Sequence, residues 1–353
     1  MTQPTIDSEL RTILEAHAAR YPRMEPQDAV KLIFQNEFGG GHLIADPEQS
    51  LRRLRAEAES VPPTGRTVYE DIGNGVVRVM LGGDYPLEQL NRDFVRSAAA
   101  HPGDRTAFLR KLETLRAVTA AGEMTFSPDA LEAYLSDYLA AGCPVVSHSE
   151  AYRAAYAPAY RIVLRRFSLP LLLREAEQLL KERGRVLLAV DGRCGSGKST
   201  FAASLHDRFG WSVIHMDDFF LRPEQRTPER YATPGENVDH ERFLEEVLLP
   251  LEAGTLTSYR PFDCETFLLA EPVSYTPSSV TVIEGSYACH PALRKHYDLR
   301  VFLTLEPEEQ LRRIAARNPD KLDDFKERWI PLEERYFSGC GVEDACEYSL
   351  ELM

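Results

Sequence analysis

No stretch of this chain approaches the roughly 20 consecutive apolar residues a helix needs to cross a bilayer. That absence argues against a membrane-spanning helix. Paired cysteines are also missing. Cys143, Cys194, Cys264, Cys289, Cys340 and Cys346 are scattered, with no C-x-x-C pair, so neither a disulfide framework nor a zinc site is expected. Positive charge is scarce: 41 Lys and Arg face 55 Asp and Glu, a formal net charge of −14. Nucleic acids and anionic membranes need clustered cations, so neither is expected as a partner. The opening residues MTQPTIDSELRTILEAHAAR lack a basic segment followed by an apolar one. They do not read as a signal peptide, and the expected compartment is the cytoplasm.

What is present is ordinary for a globular protein, 43% apolar and 27% charged. A length of 353 residues suggests about two domains, with the boundary placed in Phe167–Pro170. Residues 1–167 read as a mainly helical α+β domain. PQDAVKLIFQNEF carries apolar residues at helical spacing and ends in Gly39–Gly41. A second helix starts at Pro47, and others are expected over Leu87–Ala100, Thr106–Ala120 and Pro128–Ala141. YEDIGNGVVRVML reads as a hairpin turning at Asn74-Gly75.

Residues 168–353 change rhythm. The helix LPLLLREAEQLLKERG stops at Gly184, and the short apolar runs RVLLAV, WSVIHM, VTVIEG and LRVFLTL then alternate with helical stretches. This predicts an α/β fold with a parallel sheet flanked by helices.

Between RVLLAV and GKSTFAASLHDRF, Gly192 to Ser199 fits G-x-x-x-x-G-K-[ST]. Gly192, Gly195, Ser196, Gly197, Lys198, Ser199 and Thr200 would cradle phosphates, because glycines let successive N–H groups turn inward and the helix N-terminus adds free donors. Lys198 reaches the β- and γ-phosphates, and Ser199 holds Mg²⁺. The strand–loop–helix setting makes this run a P-loop that is expected to bind a nucleoside triphosphate. Asp217 and Asp218 follow a strand's C-terminal end, where open α/β sheets place ligands. A carboxylate there takes the proton of an acceptor hydroxyl or holds a metal; capping a helix is the structural alternative. Glu284, ending VTVIEG, is a second candidate metal ligand.

These motifs resemble, in order, those of the uridine kinase, phosphoribulokinase and pantothenate kinase group, most closely its uridine kinase-like branch. GRCGSGKST is similar to the P-loop, DDFF to an Asp-Ser-Phe-Tyr segment, and ENVDHERF to an Asn-Phe-Asp-His segment. VIEGSY, LRRIAARN and WIPLEERYF resemble the Glu-Gly strand, the arginine-rich lid and a C-terminal Pro-Met segment. The resemblance covers nearly half the chain. It implies Asp217 as catalytic base and possible metal neighbour, Glu284 with Ser199 around Mg²⁺, and Asp239 on acceptor hydroxyls. It also implies Arg313 and Arg317 as lid cations, with Arg312 facing solvent. The lid spacing is one residue longer than the family's. YRPFDCETFLLAEP departs further, offering Glu265, Thr266 and Phe267 where uridine kinases carry His-Ser-Arg. Asp218, Tyr259, Arg260 and Asp263 are then candidates for the acceptor pocket, with packing of Tyr259 and Phe262 on the sheet as the alternative.

The expected activity is ATP- and Mg²⁺-dependent phosphorylation of a hydroxyl on a small metabolite, with uridine or cytidine the first acceptor. The alternatives are a non-nucleoside acceptor bound with help from the first domain, an ATP-binding regulatory switch, or a second reaction in the first domain. A homo-oligomer is left open. In that domain QNEFGGGHLIADPE and VVSHSEAYRAAYAPAYRIVLRRF concentrate Glu37, His42, His148, Arg153 and Tyr156, with Tyr152, Tyr160 and Arg161 beside them. Arginine among tyrosines suits an anion or a ring; helix capping and packing are the competing readings. Cys194, near a helix N-terminus, is a candidate reactive thiol.

Overall fold

The computed structural model describes residues 7–352 apart from 42, 43, 45 and 265. The chain divides into two compact units, Met1–Ser168 and Leu169–Met353.

The first unit is a helical assembly around a small sheet. Its helices are α1 (Ser8–Arg20), α2 (Pro26–Phe38), α3 (Pro47–Glu59), α4 (Leu87–Ala100), α5 (Arg105–Ala120), α6 (Pro128–Ala140) and α7 (Glu150–Tyr156). Side chains cap several N-termini: Asp7 accepts from Leu10 N, Asp46 from Gln49 N and Asp104 from Ala107 N. Each such cap contributes about 1 kcal/mol. Strands β1 (Tyr69–Asp71), β2 (Val76–Met80) and β3 (Tyr160–Leu164) form one antiparallel sheet in the order β1-β2-β3. Asn74 and Gly75 hold the centre of the β1–β2 turn, both at positive φ, as that turn requires. The core is apolar, with Leu14, Leu32, Ile33, Leu54, Val79, Leu115 and Leu135 fully buried.

The triple glycine has a packing explanation. Gly39 caps α2 at φ +58°, and a Cβ on Gly40 would lie 2.4 Å from a ring carbon of Phe94. Glycine there lets the chain lie directly on an aromatic ring.

The second unit is a parallel sheet flanked by helices, the α/β architecture of P-loop kinases. It opens with α8 (Leu169–Arg183), which stops at Gly184 with φ +77°. Strand β4 (Val186–Gly192) is buried along its whole length at the centre of a five-stranded sheet. Its neighbours are Val280–Glu284 on one side and Leu299–Thr304 on the other. Strand β5 (Ser212–His215) and the C-terminal Tyr348–Glu351 form the edges. Every pairing is parallel. The sheet aligns the C-terminal ends of β4, β5 and Val280–Glu284, bringing Gly192, His215 and Glu284 to one rim. Helix α9 (Lys198–Phe209) rises from that rim.

Candidate active site

β4 delivers Gly192 against the neighbouring strand. Its φ is +132°, and a Cβ would lie 2.0 Å from the Leu303 carbonyl oxygen, so only glycine fits. Gly195 and Gly197 also take positive φ, at +78° and +92°. Lys198, mostly buried, folds back over the loop and donates to the carbonyls of Gly192 (2.7 Å) and Arg193 (3.2 Å). Beyond the loop opens a cavity of about 610 Å³, lined by Gly195, Gly197, Lys198, Ser199, Thr200, Asp217, Glu284, Arg313 and Arg317 among others. Gly192 and Ser196 are not on its wall; Gly192 permits the strand contact, and Ser196 is 1% exposed.

Ser199 Oγ donates to Glu284 Oε2 at 3.3 Å. The other oxygen of Glu284 is held by the Nδ1 of His215. That bond raises the His215 pKa above its ordinary value, against the opposing effect of burial. Asp217 lines the cavity and is open to solvent there. Desolvation pushes its carboxyl above the usual carboxylate range, with Lys198 pulling the other way. A Cβ on Gly285 would lie 2.8 Å from Met216 Cβ and 3.2 Å from Asp217 Oδ1, so glycine next to Glu284 leaves room for the aspartate.

Comparison with known proteins adds relatives to this geometry. No protein-family model matches the chain. Over 167 residues it is 27% identical to a uridine kinase of Geobacillus kaustophilus, covering 43% of this chain and 75% of the relative. Over 131 residues it is 30% identical to a phosphoribulokinase of Synechocystis, covering 36% of this chain and 40% of that protein. The second unit is a uridine kinase-like P-loop kinase domain. Among solved structures, a possible uridine kinase from Bacillus stearothermophilus aligns with a TM-score of 0.38 at 21% identity, over 51% of this chain and 99% of that one.

Within the kinase domain, most residues expected to line an acceptor pocket do other work. Asp239 is 1% exposed. It caps the His240–Phe243 helix, accepting from Arg242 N at 3.3 Å, and also accepts from Arg222 Nε at 3.3 Å. Asp218 accepts from the Tyr259 hydroxyl at 3.0 Å. Tyr259 is buried, its ring 5.6 Å from that of Phe219, which is the packing alternative for this residue. Arg260 donates to the carbonyls of Leu269 and Ala270, bracing a hairpin, and Asp263 accepts from Thr266 in the same hairpin. None of the five lines the cavity.

Other side chains take those places. Arg226, Tyr231, Asn237, Phe267 and Tyr287 line the cavity, together with Phe325 and Trp329 from a single π-helical turn. Asn237 lies inside the ENVDHERF segment, two residues before the aspartate that drew attention. Arg226 sits 4.9 Å over the Phe267 ring. Phe267 belongs to the hairpin whose His-Ser-Arg run was missing, and it holds a positive φ of +60°. Glu333 accepts from Cys194 N at 3.0 Å and from Ser286 Oγ at 2.6 Å. The surroundings of Cys194 disfavour its reading as a reactive thiol. Burial, with Glu333 adjacent, pushes that thiol up to about 12, so it stays protonated.

The lid helix Pro307–Arg317 supplies both cavity arginines. Arg313 is held by Glu309 at 2.6 Å and reaches the Gly195 carbonyl at 3.4 Å. Arg312 points outward, 70% exposed, and pairs with the same Glu309. Elsewhere in the domain, Glu236, His240 and His290 bring potential ligand atoms within 4.8 Å of one another, the two imidazoles stacked at 4.0 Å.

The first unit separates its candidates. Glu37 accepts from Lys111 Nζ at 2.6 Å and from Asp104 N at 2.7 Å, tying α2 to α5. Tyr156 packs its ring on Tyr21 and Tyr152, and its hydroxyl accepts from Arg23 N. His148 and Arg153 line a separate pocket. His42 lies outside the described residues.

Proposed function

We propose that this chain is an ATP-dependent phosphotransferase acting on a hydroxyl of a small metabolite. The observation that carries this reading is the convergence of Lys198, Ser199, Asp217 and Glu284 on one cavity. A hydroxyl and carboxylates are hard oxygen donors, which suits Mg²⁺. Ser199 and Glu284 would hold it, with Asp217 alongside. When bound, the ion supplies neutralising charge to the phosphates.

The chain's own groups do the rest. The loop from Gly195 to Lys198 and the first turn of α9 present N–H donors to phosphate oxygens. Lys198, Arg313 and Arg317 place cations around the transferred group, where preorganised charge lowers the barrier. Asp217 takes the proton of the attacking hydroxyl as the oxygen bonds to the γ-phosphorus and ADP departs. Its raised pKa makes it a better base than an ordinary carboxylate.

A pyrimidine nucleoside is the first acceptor to try, because of the uridine kinase relatives. One observation favours a rival. Phe267, capped by Arg226, stands in the hairpin where uridine kinases bind the base, which suits a different hydroxyl compound. ADP release by the full chain with Mg²⁺-ATP, across nucleosides, sugars, polyols and vitamins, decides between them. Asp217→Asn should lower acceptor-dependent turnover by roughly 100-fold or more with melting unchanged. Unaltered turnover would remove the assigned base. ATP consumption without acceptor dependence would point to a regulatory switch.

A further inference from the structure

The first unit contains a cavity of about 430 Å³ that the kinase reading leaves unused. Helix α2 contributes Lys31 and Gln35 to its wall, the segment entering α7 contributes His148, α7 itself Arg153, and β3 Tyr160 and Arg161. Glu57 is the one carboxylate on the wall, and it is taken by Arg161 at 2.7 Å. Neither of the other two cations on the wall forms an ion pair among the described residues, and burial lowers the Lys31 pKa to about 8 against the pull of Asp28. Lys31 Nζ spends one donor on the Val146 carbonyl at 2.9 Å. The Arg153 guanidinium has no hydrogen-bond or ion-pair partner among the described residues.

Behind these cations the wall is rigid. Asp28, fully buried, accepts from Ser149 N (2.9 Å) and Ser149 Oγ (2.7 Å) and pairs with His148 Nδ1 at 2.9 Å. An ionised Asp28 fixes the proton on Nδ1, leaving Nε2 to accept from the Tyr160 hydroxyl at 2.7 Å. Gln35 Nε2 donates to that hydroxyl at 3.0 Å. Gln35 Oε1 accepts twice from Arg78, a guanidinium 2% exposed that also binds Glu70 at 2.9 Å. Apolar residues of similar size would hold such a wall about as well as buried charges do. The network therefore does something packing alone does not: it fixes a polar surface on the cavity wall, with the Arg78 charge balanced by Glu70.

We propose that this pocket binds the phosphate group of a small phosphorylated metabolite. Two unspent cations match a phosphate dianion, and a guanidinium fork fits tetrahedral oxygens in two directions. The volume suits a sugar phosphate or nucleotide and is too confined for a polymer. The chain's formal net charge of −14 disfavours polyanions.

The test uses the full chain carrying Lys198→Met, which weakens phosphate binding at the P-loop. Isothermal titration with ribose 5-phosphate and inorganic phosphate is compared with neutral ribose. Both phosphates should bind and ribose should not. Adding Arg153→Ala should weaken ribose 5-phosphate by about tenfold or more, the worth of one charge-assisted bond. Arg153→Lys should restore part of it, and Lys31→Met should act like Arg153→Ala. Arg153 is exposed, so its removal leaves the fold intact, and matched melting curves check this for each variant. No phosphate binding in the Lys198→Met chain, or the same affinity after Arg153→Ala, overturns the proposal.

Discussion

The carboxylate of Glu284 stands between Ser199 Oγ, 3.3 Å from one oxygen, and His215 Nδ1, bonded to the other. The pair comes from neighbouring parallel strands, Glu284 directly beside His215 in register. A histidine behind a carboxylate ligand sets which oxygen faces a metal. His215→Asn should therefore raise the Mg²⁺ concentration needed for half-maximal ADP release by about 10- to 100-fold. Saturating Mg²⁺ should recover much of kcat. Glu284→Gln should lose kcat itself. Equal Mg²⁺ curves for wild type and His215→Asn would show that His215 does not position Glu284.

Gly192→Ala tests the fold. The added methyl would meet the Leu303 carbonyl at 2.0 Å, in a backbone conformation alanine resists. A loss of about 3 kcal/mol or more is expected, seen as a lowered midpoint in urea. Gly65→Ala, at φ +75° with open space around it, isolates the conformational part and should cost about 1 kcal/mol.

Asp93 gives the first unit a pH signature. Burial lifts its carboxyl to about 6, although Tyr85, Gln89, Arg92 and Arg96 all favour the charged form. A group with a raised folded pKa stabilises most below its unfolded value, and that stability is lost as pH rises through the folded pKa. The first unit should therefore lose about 1–3 kcal/mol from this group between pH 4 and pH 7. Asp93→Asn should flatten that part of the pH–stability curve and raise the midpoint at pH 7.5. An unchanged curve would show that Asp93 titrates normally.

Cys194 should resist alkylation. With its thiol pushed up to about 12, iodoacetamide at pH 8 should label exposed Cys264 well before it. Peptide mapping after brief treatment reads the order, and early labelling of Cys194 would contradict the burial described.

The P-loop was legible because its chemistry is written in backbone requirements. Glycines at fixed intervals and a lysine before a serine constrain the chain locally. Asp217 and Glu284 were legible because parallel strands end at one rim. The acceptor side was not, since its wall comes from distant segments that spacing cannot order. Asp239 looked like a ligand, yet its carboxylate satisfies a helix N-terminus and two arginines, buried Arg242 and partly exposed Arg222. In the first unit, Tyr160 and Arg161 drew notice as polar side chains, which hid that they form β3. The Tyr348–Glu351 strand went unread, being four residues long and following a run of helix and turn.

Glu333 binds Cys194 N and Ser286 Oγ at once, so a single carboxylate staples the nucleotide loop to the segment after Glu284. Those two walls are tied to each other through it. Any widening of the cavity has to come from its other borders, the lid helix with Arg313 and Arg317 and the hairpin with Phe267. Under the proposed activity, access for both reactants would be set by those borders and not by the loop.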